Sequence, residues 1–151
     1  MSMQSWTVEG FGFVLGTGGR SFVLKHRDTV QKLNGSSEFL KMAEEFDNEE
    51  DFFEEASLAD DLYIGDNGGE GIGALVADVM SEETGITFTF CPADGDTGSE
   101  DTIMLEKCMP WQFTEKEKNL TRGGLIKICK PYMEELGLEG EAEFVSVEYY
   151  G

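Results

Sequence analysis

The stretch Gly85-Ile-Thr-Phe-Thr-Phe-Cys-Pro-Ala-Asp-Gly-Asp-Thr-Gly-Ser-Glu-Asp-Thr-Ile-Met-Leu-Glu-Lys-Cys108 decides the fold. Ile86, Phe88 and Phe90 alternate with Thr87 and Thr89, the period-two pattern of a half-buried strand. Asp94-Gly-Asp-Thr-Gly98 reads as a turn, and residues 102–108 return as the paired strand. A hairpin is antiparallel, whereas a doubly wound fold needs a crossover at this place.

Outward from the hairpin the period changes. Residues 70–83 place Ile72, Leu75, Val76, Val79 and Met80 at helical spacing, with Gly85 as a left-handed cap. Thr114-Glu-Lys-Glu117 has the capping-box pattern. Thr121 caps a longer helix to Leu136, Pro131 is expected to kink or shorten it, and Gly137 stops it. Residues 142–150 read as a final strand with Val145, Val147 and Tyr149 on one face.

Toward the start, residues 5–15 read as a strand whose apolar parity changes between Val8 and Phe11, which suggests a bulge or bend at Gly10. Gly16-Thr-Gly-Gly19 is a turn, and residues 21–33 read as one helix with Phe22, Val23, His26, Val30 and Leu33 near one face. Ser36 or Ser37 can cap a helix over 37–46, and Asp47 or Asn48 another over 49–58. Residues 61–64 suggest a short strand before the turn Asp66-Asn-Gly-Gly69. The sum is a single α+β domain over residues 1–151, a mainly antiparallel sheet of about four strands with several packed helices.

The charge is confined. The net value is −20, from 11 Lys and Arg against 31 Asp and Glu, and no base lies between Lys41 and Lys107. The flanks balance, so the middle, residues 42–106, carries the whole imbalance. Its densest part holds Glu44, Glu45, Asp47, Glu49, Glu50, Asp51, Glu54, Glu55, Asp60 and Asp61, and a second cluster holds Asp94, Asp96, Glu100 and Asp101. Crowded like charges lower stability, so their retention suggests a use. A phosphate backbone would be repelled, which disfavours direct nucleic-acid binding.

Other motifs read as structure. Gly69-x-Gly71-x-x-Ala74 superficially resembles a dinucleotide-binding turn, but Asp66 and Glu70 would repel the phosphates. Gly16-Thr-Gly-Gly-Arg20 could hold an anion at a helix start, yet lacks the Lys-Ser/Thr of a phosphate loop. From Asp94, ligand positions five and twelve of a calcium loop fall on Gly98 and Leu105, which leaves at most weak cation binding at residues 94–101. His26 is the one histidine and falls on an apolar stripe, so a partly buried structural role is expected. Cys91, Cys108 and Cys129 form no zinc or disulfide spacing. No cofactor, metal or catalytic residue is nominated.

In size and charge the chain is similar to small acidic inhibitors of phages and mobile elements, including anti-restriction and anti-CRISPR proteins that imitate nucleic acid. That resemblance implies a basic partner, a nucleic-acid-binding protein or complex, met by the two acidic clusters. Residues 38–61, if mostly helical, would space their charges much as a DNA strand does. The alternatives are an acidic adaptor without inhibitory role and a nucleotide-binding enzyme using the Gly69–Ala74 turn. The absence of an apolar leader near Met1 suggests a cytoplasmic, membrane-free protein.

Overall fold

A computed structural model describes residues 5–33, 36–65, 69–93, 100–105, 115, 117 and 120–150, except the side chains of Ser5 and Tyr150. Four strands form one antiparallel sheet in the order β2-β3-β1-β4, with β1 at Ser5–Val14, β2 at Thr89–Cys91, β3 at Thr102–Leu105 and β4 at Glu143–Tyr150. Among the described residues the α-helices are α1 (Arg20–Lys25), α2 (Arg27–Lys32), α3 (Ser37–Glu45), α4 (Glu49–Ser57), α5 (Gly71–Thr84) and α6 (Arg122–Glu135). The α+β architecture and the antiparallel hairpin are as the sequence predicts. No helix among the described residues is long and apolar enough to cross a membrane.

The parity change in β1 has a different cause from the expected bulge. The β1–β4 register runs unbroken from Ser5↔Tyr150 to Gly12↔Glu143. Apolar residues lie on both faces of the sheet. Phe13, Ile103 and Leu105 join the main core under the helices, while Val8 packs with Met104, Cys91 and Val147 in a second cluster. Each half of β1 therefore buries a different face.

β2 starts later than the Ile-Thr-Phe-Thr-Phe alternation suggests, at Thr89. Ile86 and Phe88 are buried, but α5 captures their backbone. The Phe88 N–H donates to Ser81 Oγ at 2.8 Å, the Ser81 hydroxyl reaches Phe88 O at 3.2 Å, and the Ile86 N–H donates to Thr84 Oγ1 at 3.1 Å. Groups satisfied by the end of a helix are not available to a ladder.

The expected helix over 21–33 is two. His26 leaves helical geometry at φ −106° and ψ 26° and divides α1 from α2. Ser36 occupies the N-cap position of α3 without capping it; its hydroxyl donates back to the Leu33 carbonyl at 2.7 Å and to that of Val30. Asn48 does cap α4, accepting the Asp51 N–H at 2.8 Å, and Thr121 caps α6, accepting the Gly124 N–H at 3.0 Å. Residues 60–62 form a 3-10 turn rather than a strand, and Ile64 makes one isolated bridge to Glu70. Pro131 does not cut α6 short. The capping-box residue Thr114, with Cys108 and Trp111, lies outside the described residues.

Candidate functional site

The two acidic helices put most of their carboxylates in water. Glu45, Asp47, Glu50, Asp51, Glu54, Glu55, Asp60, Asp61, Glu100 and Asp101 are exposed. Among the described residues, no Lys or Arg forms an ion pair with a carboxylate of α4. At about 100° per residue, Glu50, Asp51, Glu54 and Glu55 share an arc of about 140° opposite Phe52 and Ala56. Asp94 and Asp96, and with them most of the possible cation loop, lie outside the described residues.

Four predicted partner-binding acids, Glu44, Glu49, Asp51 and Asp101, accept hydrogen bonds within the chain, Asp51 from Asn48 Nδ2 at 3.0 Å. Glu44 accepts from Arg27 Nη2 at 2.9 Å, an exposed pair. Glu49 is fully committed. Its Oε2 accepts the N–H groups of Gly19 at 3.1 Å and Arg20 at 2.9 Å, and its Oε1 accepts the Ser21 N–H at 2.8 Å and hydroxyl at 2.7 Å. Burial would push this carboxyl up, but the hydrogen bonds from Ser21, Arg20 and Gly19 outweigh it and hold it below the usual glutamate range. The Gly16–Arg20 turn is thus an anion cradle, and its anion is the chain's own. Arg20 Nε also donates to Phe46 O at 2.5 Å, so the turn fastens the α3–α4 corner twice. That corner breaks residues 38–61 into two nine-residue helices, so the evenly spaced charge ladder expected of a continuous helix is not formed.

The second acidic cluster comes back to the first. Asp60 and Asp101 lie close enough to repel, and both line a pocket of about 550 Å³ with Glu70. Burial, then the charges of Asp101 and Asp61, raise the Asp60 carboxyl above the usual aspartate range. Asp101 is fixed by the Ala93 N–H, which donates to its Oδ1 at 2.6 Å, and by its own carbonyl, which accepts the Leu15 N–H at 2.8 Å. Phe53, Ile72 and Phe90 form an apolar lining.

The Gly69–Ala74 turn opens onto this pocket. A Cβ at Gly71 would stand 2.5 Å from Asp60 Oδ1, so a carboxylate already occupies the approach a phosphate would need. The strand after α5 pairs antiparallel, and only the Ile64 bridge precedes the turn, so the described residues form no parallel βαβ unit.

His26 is partly buried, its side chain 14% exposed, and joins three helices. Its Nδ1 lies 2.8 Å from Glu83 Oε2 on α5, and its Nε2 bonds Glu135 on α6. Glu83 also accepts the hydroxyls of Thr29 at 2.6 Å and Tyr132 at 2.8 Å. Burial opposes ionisation of Glu83, but the Thr29, His26 and Tyr132 hydrogen bonds prevail and lower its pKa. A neutral imidazole has one N–H to give, so serving both carboxylates takes an imidazolium or a proton held by one carboxyl. Cys129 nearby is buried, which pushes its thiol up to about 12, so it is no ready nucleophile. The cluster works as an internal joint.

The sequence reading missed the closure of Glu49 and the pocket. Glu49 was accessible to it, since on the helical wheel it falls in the arc of Phe52, Phe53 and Ala56. The pocket left no local signal, because Asp60, Glu70 and Asp101 come from three segments. The chain matches no protein-family model, no curated protein and no solved structure.

Proposed function

We propose that the chain is an acidic protein-binding domain whose α4 face docks on a basic, nucleic-acid-binding surface and competes with nucleic acid for it. The observation that carries this reading is the exposed arc of Glu50, Asp51, Glu54 and Glu55 with no base paired to it among the described residues. Such a surface gains most from a cationic partner, associates fast at low salt and rejects phosphate. Glu45, Asp47 and Asp61 extend it, while Glu49 belongs to the scaffold. The expected compartment is the cytoplasm, where a buried thiol such as that of Cys129 would stay reduced.

One observation favours a second reading, an adaptor that docks without displacing nucleic acid: the turn between α3 and α4 breaks the charge row that a phosphate mimic would use. The test is capture on the immobilised chain over a salt series, followed by elution with duplex DNA or RNA. Replacing Glu50, Asp51, Glu54 and Glu55 by their amides is expected to cut capture of a basic partner about tenfold or more. Rising salt weakens the native chain in the same direction. Elution by nucleic acid supports competition, and retention supports the adaptor. Capture that ignores both salt and the substitutions defeats both readings.

A further inference from the structure

Independently of the α4 face, we infer that the pocket bordered by Asp60, Glu70 and Asp101 binds an organic cation carried on an apolar body, such as an amidinium, guanidinium or alkylammonium on a ring or chain. Its volume, about 550 Å³, falls within the range of small-ligand sites. Phe53, Ile72 and Phe90 offer the body a dry contact, and the carboxylates at the edge offer the charge a partner. No Lys, Arg or His is among the described residues that line it. The start of α5 contributes roughly half a positive charge there, which leaves the sum strongly negative.

Other occupants fit less well. An anion meets three carboxylates. A neutral apolar molecule fills the floor and leaves Asp60 crowded by Asp101 and Asp61 without a counter-charge. A bare metal ion needs converging ligands, and among the described residues no three acids, His or Cys gather in that way. A cation spread over several atoms can meet carboxylates that stand apart. The wall is shaped for close contact: a Cβ at Gly73 would come within 2.4 Å of the Phe90 ring, so glycine lets α5 close on it. At the mouth Ile64 is 74% exposed, an apolar side chain with which an incoming body gains contact.

The test uses benzamidine as probe and benzamide as its neutral counterpart, titrated into the full chain and followed by amide NMR. Benzamidine is expected to shift the amides of Ile72, Gly73 and Phe90 saturably and to bind about tenfold tighter than benzamide. Asp60→Asn and Asp101→Asn should each weaken benzamidine about three- to tenfold and leave benzamide unchanged. Both positions are exposed, and a melt of each variant verifies the fold; Glu70→Gln serves where one is damaged. Equal affinity for the two probes, absence of saturable shifts at the pocket, or indifference to all three substitutions overturns the inference. The amide variant of α4 should bind benzamidine normally, which separates this outcome from that of the docking reading. Displacement of a captured protein by benzamidine assigns the cation to a partner's basic side chain, and benzamidine binding without displacement assigns it to a free small molecule.

Discussion

Glu49→Ala is expected to lower stability by about 2–3 kcal/mol, whereas Glu50→Gln, the next residue, leaves it unchanged or slightly raised. Glu49 accepts four hydrogen bonds at the start of α1, and charged acceptors contribute more than neutral ones. The figure is discounted because the site is only partly shielded from water. For a chain of this size the melting temperature should fall by roughly 5–10 °C. The acid limb gives a second readout. The carboxyl is lowered in the folded state, so its contribution is present above the ordinary glutamate range and is lost as pH falls through the folded value. Glu49→Gln should flatten part of that limb. Glu83, lowered in the same sense, keeps the remainder. A melt of Glu49→Ala within about 1 °C of the parent would show that the cradle contributes nothing.

Gly12→Ala is expected to do more, about 3 kcal/mol or beyond. Gly12 lies in the interior strand, paired with Met104 on one side and Glu143 on the other. An added Cβ would fall 1.9 Å from the Ile103 carbonyl oxygen and 2.8 Å from Met104 Cα. These are backbone atoms, so no side chain can swing aside, and β1 must part from β3. A urea titration together with amide exchange across β3 reads the effect: a lower midpoint and lost protection at Ile103 and Met104. Gly123→Ala is the matched control. Its Cβ would meet nothing closer than Thr121 Oγ1 at 3.9 Å on a helix, so about 0.5 kcal/mol of added stability is expected. Equal effects at the two positions would remove close strand approach as the cause.

These two residues also mark what was legible in the sequence. Helical spacing announced α5 and α6, and the Phe stripes announced α3 and α4, because period and caps are local properties. The hairpin was legible for the same reason. The start of β2 was not, since it depends on Ser81 and Thr84 reaching the chain just past their own helix. The division of α1 from α2 was not, since His26 is held by Glu83 and Glu135 from distant helices. For the acidic surface, exposure followed the wheel position by position, and Glu49 would have been separated from its neighbours by applying the wheel strictly. Glu44 would not, because its partner Arg27 is on another helix. The pocket depends on tertiary folding of three acid-bearing segments, and charge counting along the chain cannot see their meeting.

The order β2-β3-β1-β4 has a consequence in time as well as in space. β1 is made first, yet both its neighbours are made late: Phe11 meets Leu105 on one edge and Phe144 on the other. At synthesis rates of about 5–20 residues per second, the strand stands open for several seconds while α1 to α5 are completed. During that interval its backbone is an unpaired edge on both sides, the form of chain most apt to join a stranger. Net negative charge keeps polypeptides apart. The acid-rich middle begins at residue 42, after α1 and α2, and is complete before β4 exists. In the nascent chain it is a repulsive guard beside an unfinished sheet, before any partner has been met.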